Sequence, residues 1–329
     1  TIQARRFVIA TGSRAMVPPI KGIEDVPFLT NESVFDLTDL PKKIIIVGGG
    51  PIGCELGQAF RNLGSEVSIV EMASIMPKDD PDLVSVIRDR LAGDGISLLE
   101  QTKVLSASKS PDGVSLRVEA DGEEREINGT HLLLAAGRIP NLEKLNLEAA
   151  GVKYERQGIT VDKGLRTSNR KIYAAGDVIG PPSLASASME QGRRASCSAL
   201  GLDMGEMTEL IPGGIYAIPE LSTVGMSEAQ AIEDYGDPII GVAKFEEIAR
   251  GQISGIQDGL LRIVADPQGK KLLGVQIIGE GATELIHIGQ MGLLANMEID
   301  AFVENIFNFP TLAEAYRVAA LDVVGQRTT

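Results

Sequence analysis

The chain has 329 residues, enough for two or three domains, and its 43% hydrophobic and 23% charged residues are typical of a globular protein. Its formal charge of −14 argues against nucleic acid and anionic membranes as partners, and no run approaches the ~18 apolar residues that span a bilayer. Its two cysteines, Cys54 and Cys197, are far apart and form neither a disulfide framework nor a metal pattern. We therefore expect a cytoplasmic protein without a metal site.

The predicted elements begin with a short strand over residues 5–9 and a proline-rich connector that reaches Leu40. Strands and helices then alternate up to a polar hairpin around residues 110–128, and a helix follows over residues 183–200. The second half is predicted to contain strands over residues 217–224, 239–245, 260–265 and 271–279, and helices over residues 282–294 and 312–324. The pattern divides the chain into four segments: residues 1–40, 41–137, 138–210 and 211–329.

The stretch from Lys42 to Glu71 has the pattern of a strand–helix–strand unit. Residues 44–47 are an apolar β-branched run that suits a buried parallel strand. The sequence Gly48-x-Gly50-x-x-Gly53 follows at once, with glycines where a tight turn, a close pyrophosphate and close helix packing each require them. The predicted helix over residues 51–63 directs its first amides at the phosphates. The unit is therefore predicted to bind a dinucleotide.

An acid at the end of the second strand strengthens this prediction. Glu71 stands 18 residues after Gly53, where a carboxylate accepts a hydrogen bond from the ribose 2′-hydroxyl. The alternative is a tight turn without a ligand and a solvated Glu71. The predicted nucleotide contacts are Gly48, Gly49, Gly50, Pro51, Ile52, Gly53 and Glu71.

A second motif, Thr167-x5-Tyr173-Ala174-x-Gly176-Asp177, is predicted as a strand that ends at Gly176–Asp177, just before a helix. It resembles the second flavin motif of the two-dinucleotide-binding flavoproteins, such as dihydrolipoamide dehydrogenase and glutathione reductase. In that family the residue equivalent to Asp177 holds the ribityl chain of FAD. Two further stretches, Ala10-Thr11-Gly12 and Ala136-Gly137-Arg138-x-Pro140-Asn141, resemble the family's crossovers between its FAD and NAD domains.

The resemblance implies an α/β fold with a Rossmann-like NAD(P)-binding domain over residues 41–137 and an α+β dimerisation domain over residues 211–329. Residues 1–40 and 138–210 would then be an FAD-domain segment with its crossover and the C-terminal part of the FAD-binding domain. The chain would enter the family after the first FAD motif, consistent with Thr1 in place of an initiator methionine. Cofactor contacts are expected from Thr11, Gly12, Val104, Gly137, Asp177, Leu184 and Ala185.

The C-terminal region separates this chain from the family members that reduce disulfides. Those members carry His-Pro-Thr-x-x-Glu, whose histidine moves protons for thiol chemistry, whereas this chain has Phe309-Pro310-Thr311-Leu312-Ala313-Glu314. Phe309 carries no proton, and His131 and His287 are predicted to be structural residues on a strand and a helix. Both cysteines are expected to be buried and inert. Dithiol exchange is therefore disfavoured.

Three stretches resemble the soluble pyridine nucleotide transhydrogenases, within the pyridine nucleotide-disulfide oxidoreductase family. These stretches are residues 176–187, 214–220 and 307–317. The resemblance implies ping-pong hydride transfer, in which NADPH reduces FAD and leaves before NAD accepts the hydride. It assigns catalytic roles to Glu55, Phe309 and Glu314, with Glu55 positioning the nicotinamide. Phe309 would reach the flavin of a partner subunit, so a homodimer is expected.

One feature conflicts with NADP binding. Glu71 favours a free 2′-hydroxyl, and a carboxylate about 4 Å from a phosphate charge is repelled by roughly 4 kcal/mol before screening. Residues 72–75 supply no cation, and Lys78 is the first one after the strand. An alternative is therefore an NAD-linked dehydrogenase of the dihydrolipoamide dehydrogenase type or a diaphorase. A further alternative is a catalytically silent module that binds NAD and dimerises.

Overall fold

The computed structural model describes residues 2–206, 209–256 and 258–327. The outer ends of the predicted segments, at residues 1 and 329, lie outside these ranges. Two compact units make up the chain. One contains Thr1–Pro18 with Ala136–Glu209, and the other contains Pro19–Ala135 with Leu210–Thr329. The four predicted segments remain a prediction.

The described residues form short strands and helices, and several strands follow one another between the second and third α-helix. The strands are β1 Phe7–Ile9, β2 Ser13–Ala15, β3 Lys43–Val47, β4 Glu66–Val70, β5 Ser97–Leu99, β6 Lys103–Ser110, β7 Gly113–Ala120, β8 Glu123–Gly129, β9 His131–Leu134, β10 Arg138–Pro140, β11 Tyr154–Glu155, β12 Gly158–Ile159, β13 Ile172–Ala174, β14 Gly213–Ile215, β15 Glu220–Gly225, β16 Ile239–Lys244, β17 Leu260–Ala265 and β18 Leu272–Gly279. The helices are α1 Pro51–Leu63, α2 Pro81–Gly93, α3 Ala185–Leu200, α4 Glu228–Tyr235, α5 Ala249–Ser254, α6 Ala282–Leu294, α7 Ile299–Glu304 and α8 Ala315–Gly325.

The larger unit contains a four-stranded parallel sheet in the order β5-β4-β3-β9. Ile44, Ile45 and Ile46 of β3 are fully buried, as expected for a central strand covered on both faces. The strand–helix–strand unit predicted from the sequence is present, and α1 has the predicted bounds. A three-stranded antiparallel sheet, β6-β7-β8, replaces the predicted simple hairpin around residues 110–128.

The same unit contains an antiparallel five-stranded sheet in the order β14-β15-β18-β17-β16. Helices α6, α7 and α8 pack with this sheet around a core that includes Tyr316 and Phe245. The predicted helix over residues 312–324 is divided, because a 3₁₀ turn at Leu312–Glu314 precedes α8. The short helices α4, α5 and α7 were not predicted.

In the smaller unit β1 pairs in parallel with β13, and β2 pairs in antiparallel with β10. Helix α3 packs against β13. The prediction that this strand ends at Gly176–Asp177 is wrong, because β13 ends at Ala174 and Asp177 begins a 3₁₀ turn. In residues 2–206, 209–256 and 258–327, no helix combines the length and apolarity needed to cross a bilayer.

Candidate functional site: a glycine turn closed by Glu71

The turn between β3 and α1 is shaped by glycines with different tasks. Gly48 adopts a φ of +116°, a conformation that favours glycine. A Cβ at Gly53 would lie 1.9 Å from the carbonyl oxygen of Gly48, so the close helix–strand contact excludes any side chain there. Gly50, in contrast, has extended backbone, and a Cβ placed on it would meet no atom within 4 Å. Gly50 therefore faces open space at the start of α1, where a phosphate has room.

The carboxylate of Glu71 closes this turn. Its Oε2 accepts a hydrogen bond of 2.7 Å from the amide of Gly49, and its Oε1 accepts one of 2.9 Å from the amide of Ala73. Glu71 immediately follows β4, which pairs in register with β3, so the sheet itself places the acid beside the glycines. Each oxygen keeps a second lone pair free, so the carboxylate can still accept a ribose hydroxyl.

The remaining predicted residues of this turn continue into α1. Pro51 occupies the first helical turn, where the lack of an N–H removes no helical hydrogen bond, and Ile52 follows it half-buried. No side chain caps the start of α1 among the described residues. The first amides of the helix are thus available to an anion at the glycine turn. Val104 lies on β6, where it packs on the core between that sheet and the parallel sheet.

Glu55 joins α1 to the segment before β15. Its Oε1 accepts a 2.8 Å hydrogen bond from the amide of Tyr216. Burial raises the pKa of the Glu55 carboxyl, and the hydrogen bond from Tyr216 opposes this rise only in part. The carboxyl is therefore partly buried and anchors the backbone of an exposed tyrosine. A carboxylate on a solvated helix surface would have neither property.

Gln58, one turn further along α1, was not singled out from the sequence. Its Oε1 accepts a 2.7 Å hydrogen bond from the amide of Ile218, and its Nε2 donates a 2.8 Å hydrogen bond to the carbonyl of the same residue. Glu55 and Gln58 are three residues apart, so they lie on one helix face. This spacing is the feature of the sequence that could have indicated Gln58. Together the two side chains fix the backbone of residues 216–218 against α1.

Phe309 and Glu314 lie in the stretch between α7 and α8. The Phe309 side chain is 71% exposed, and the neighbouring Ile306 is 98% exposed. The guanidinium of Arg250 donates from Nε and Nη2 to the carbonyl of Pro310, at 3.2 and 3.0 Å, which anchors this stretch. Glu314 Oε2 is buried and has no hydrogen-bond partner among the described residues. The ring of Phe309 is therefore an exposed apolar group that has no proton to transfer.

The two thiols differ in their surroundings. Cys54 is buried on α1, its Sγ donates to the carbonyl of Gly49 at 3.4 Å, and burial raises its pKa to about 12. The expectation that both thiols are buried is wrong for Cys197, which is half-buried on α3. The buried face of α3 is formed by Ala187, Gln191, Arg194 and Ala195, and Cys197 lies at its edge. Both thiols are free, and His131 and His287 lie on β9 and α6 as predicted.

In the smaller unit Asp177 lies within a polar cluster. Its Oδ2 accepts a 2.5 Å hydrogen bond from the hydroxyl of Ser13 and lies 3.8 Å from Nε of Arg138. Arg138 in turn donates to Ser13 through Nε and Nη2. The described residues offer no donor to Asp177 Oδ1, so this oxygen remains available to a hydroxyl. The pairing of β2 with β10 brings Ser13 and Arg138 together, and the parallel pairing of β1 with β13 brings Asp177, which follows β13, near Ser13.

The two predicted crossover stretches also meet in this unit. Thr11 and Asn141 exchange side chain-to-backbone hydrogen bonds of 3.0 and 2.8 Å, and the amide of Asn141 donates to Gly12. Gly12 and Gly137 have φ values of +65° and +112°, and the carbonyl of Gly137 accepts from Met16. Leu184 precedes α3 and is half-buried, whereas Ala185, its first residue, is exposed.

The residues present fit the pyrophosphate and one ribose of a dinucleotide, and one acceptor fits a flavin. The space at Gly50, the free helix amides and the acceptors on Glu71 match a pyrophosphate and a ribose. The free Oδ1 of Asp177 suits a polyol hydroxyl of FAD. The sequence holds a single Gly-x-Gly-x-x-Gly, so a second pyrophosphate turn of this kind is not encoded in these 329 residues. Among the described residues, no cluster of three or more His, Cys, Asp or Glu could hold a metal ion.

The fold and the glycine turn define an α/β protein with a dinucleotide site. Residues 1–192 match the family described as pyridine nucleotide-disulphide oxidoreductase, and residues 211–320 match the dimerisation domain of that family. The chain therefore belongs to the pyridine nucleotide-disulphide oxidoreductase family. Its members are flavoprotein enzymes that bind FAD and NAD(P).

Individual relatives carry several activities in their names. The chain is 36% identical to the soluble pyridine nucleotide transhydrogenase of Mycobacterium bovis over 328 residues, which are 99% of this chain and 69% of the relative. It is 33% identical to a mercuric reductase of Staphylococcus aureus, over 97% of this chain and 59% of that protein. Among solved structures, the Cu(II) complex of the HOCl-induced flavoprotein disulfide reductase RclA from Escherichia coli gives a TM-score of 0.87 at 29% identity, over 96% and 73% of the two chains.

Proposed function

We propose that this chain carries the nicotinamide nucleotide site and part of the flavin site of an oxidoreductase that transfers hydride between NADPH and NAD. The observation that carries the proposal is Phe309, an exposed phenyl ring at the position where disulfide-reducing relatives need a proton carrier. The glycine turn over residues 48–53 has the three glycines of a dinucleotide site, and neither Cys54 nor Cys197 has a thiol partner in the described chain. The residues of this chain thus favour hydride transfer over thiol exchange.

Each predicted residue receives a role in this proposal. Residues 48–53 hold the pyrophosphate, Val104 flanks the nucleotide, and Glu71 binds the ribose of the nicotinamide nucleotide. Glu55 positions the nicotinamide through its hold on Tyr216, and Glu314 supports the stretch that presents Phe309. On the flavin side, Asp177 binds a ribityl hydroxyl, and the flanking contacts come from Thr11, Gly12, Gly137, Leu184 and Ala185.

Flavin, when bound, accepts a hydride from one nicotinamide and returns it to another. The protein's own part is to hold the two rings face to face and to keep water away from them. The phenyl ring of Phe309 suits the second task, since it is apolar and exposed on this chain. We infer that it meets the flavin of a second copy, which requires a homodimer built on the dimerisation domain. A cytoplasmic location, where both nucleotides are available, belongs to the same proposal.

A second candidate is an NAD-linked oxidoreductase of the dihydrolipoamide dehydrogenase type or a diaphorase. Glu71 favours it, because a carboxylate at the glycine turn would accept a 2′-hydroxyl and repel a 2′-phosphate. A third candidate is a nucleotide-binding and dimerising module without catalysis. The single Gly-x-Gly-x-x-Gly turn favours it, because we then expect these 329 residues alone to bind NAD(H) and dimerise while retaining little flavin.

The two half-reactions of the flavin separate these candidates. The product of the gene that encodes this chain is purified with its flavin and mixed with NADPH, and then with one acceptor at a time. We expect NADPH to bleach the flavin's visible absorption and NAD to restore it, while lipoamide disulfide and Hg(II) leave it bleached. Restoration by lipoamide or Hg(II) but not by NAD would overturn the proposal in favour of a reductase. A preparation that binds NADH but holds no flavin would support the third candidate.

A further inference from the structure

The turn that follows β4 is held in one shape by a side chain from elsewhere in the chain. Backbone hydrogen bonds connect it to its surroundings, from Met76 to Gly49 at 2.9 Å and from Gln101 to Ala73 at 3.0 Å. The amide of Ile75 has a side-chain acceptor instead: it donates a 2.7 Å hydrogen bond to Oε1 of Glu100. Glu100 follows β5, so a carboxylate on the neighbouring strand end fixes the middle of the turn.

Arg88 of α2 holds this carboxylate in place. Its Nε donates a 2.8 Å hydrogen bond to Glu100 Oε2, and its Nη2 donates a 3.0 Å hydrogen bond to Glu100 Oε1. Such a two-point contact fixes the carboxylate plane as well as its position. The hydrogen bond from Arg88 lowers the pKa of Glu100, the Ile75 amide lowers it further, and burial opposes them. Glu100 is therefore an anion throughout the neutral range.

Ile75 passes this constraint to the nucleotide site. Its side chain is 1% exposed, and a Cβ at Gly49 would lie 2.9 Å from its Cγ2. The same Cβ would lie 3.0 Å from Cβ of Glu71. Ile75 and Glu71 thus form the floor beneath Gly49, and a shift of Ile75 changes the distance between Glu71 and the glycine turn.

The arrangement also decides which charges face the ribose. Residues 72–76 carry no cation, and the guanidinium of Arg88 is already occupied by both oxygens of Glu100. We infer that Glu100, oriented by Arg88, is a positioning residue that shapes this turn for a nucleotide with a free 2′-hydroxyl. The inference rests on the proposed nucleotide site and adds its preference: NAD(H) is held more tightly than NADP(H).

The test compares the binding of NADH and NADPH to the purified protein by the change in nucleotide fluorescence. In Glu100→Gln the carboxylate loses its charge and the contact with Arg88 weakens. We expect the Kd for NADH to rise about tenfold, the effect of losing one charge-assisted hydrogen bond, and the Kd for NADPH to stay level or fall. Arg88→Lys keeps the charge but loses the two-point contact, so its ratio of Kd values should lie between those of the wild type and Glu100→Gln.

Arg90→Gln is the matched control. Arg90 lies on the same helix and pairs with Asp94 at 3.0 Å, away from the turn, so both Kd values should stay at the wild-type level. Equal weakening of both nucleotides in Glu100→Gln and Arg88→Lys would indicate a merely structural pair and overturn the inference, as would an unchanged ratio of Kd values. If the wild type binds neither nucleotide, the proposed function itself fails.

Discussion

Oε2 of Glu71 lies 2.7 Å from the amide nitrogen of Gly49 and accepts its hydrogen. The acid that ends one strand thereby closes the glycine turn that follows the neighbouring strand. In the proposed nucleotide site, the groups for ribose and for pyrophosphate are consequently parts of one hydrogen-bonded structure. A change at either residue is expected to affect how the other meets the nucleotide.

Replacing Glu71 tests which nucleotide this site prefers. In Glu71→Gln the negative charge at the proposed ribose site is lost, while the side chain keeps its size and one oxygen acceptor. We expect the Kd for NADH to rise about tenfold and the Kd for NADPH to fall, because the repulsion of the 2′-phosphate is removed. Glu66→Gln, at the exposed start of the same strand, is the control and should change neither Kd. A wild-type preference for NADPH would contradict this assignment.

Two glycines of the turn should respond differently to alanine. Gly50→Ala adds a methyl group in open space on extended backbone, so we expect an unchanged melting temperature but a loss of NADH binding, because the methyl occupies the phosphate position. Gly53→Ala places a methyl 1.9 Å from the Gly48 carbonyl and should lower the melting temperature by itself. Thermal melts and NADH titrations of both variants provide the comparison. NADH binding that survives in Gly50→Ala would mean that the phosphates lie elsewhere.

A buried ion pair connects the start of α2 with the five-stranded sheet. The guanidinium of Arg262 on β17 lies 2.7 Å from the carboxylate of Asp80, whose side chain is 10% exposed. It also lies 3.0 Å from the carboxylate of Asp82, whose side chain is 77% exposed. Asp80→Asn leaves a buried guanidinium short of a charge partner, so we expect a loss of about 3 kcal/mol in the free energy of unfolding. Asp82→Asn, the control, should lose less than about 0.5 kcal/mol. Urea unfolding measures both, and equal losses would show that burial does not decide the effect.

The raised pKa of Glu55 gives stability a pH dependence of known sign. The folded protein binds a proton at Glu55 more tightly than the unfolded chain, whose carboxyl has the usual pKa of 4.5. The free energy of unfolding therefore falls as pH rises from about 4.5 through the raised folded value. Glu55→Gln removes this contribution, so the difference in stability between variant and wild type should grow in favour of the variant across that window and then level off. A difference that is constant from acid to neutral pH would contradict the assignment.

The sequence was informative where a single local rule determines the structure. The run Ile44–Val47 and the three spaced glycines predicted β3, the turn and α1, because burial on both faces and close backbone contact leave few alternatives. Short helices such as α5 and α7 were missed, since six residues hold too little periodicity to stand out from loops. Their position is set by packing on the sheet.

Contacts between distant residues were beyond local patterns. Glu100 meets Ile75 only because β5 and β4 are neighbours in the sheet, and Arg88 meets Glu100 only because α2 packs beside them. Asp177 was singled out from its motif, yet its hydrogen bond from Ser13 depends on the pairing of β1 with β13, which are more than a hundred residues apart. The chemistry of these residues was visible in the sequence, whereas their partners were not.

In the proposed function, hydride passes between nicotinamide nucleotides without thiol chemistry. This transfer is tested most directly by following NADPH oxidation by the flavin-containing protein with a chromogenic NAD analogue and with lipoamide disulfide, each supplied alone at the same concentration. The proposed function predicts sustained reduction of the NAD analogue and none of the disulfide, because Phe309 carries no proton and the described cysteines are unpaired. Sustained disulfide reduction without transfer to the NAD analogue would contradict it.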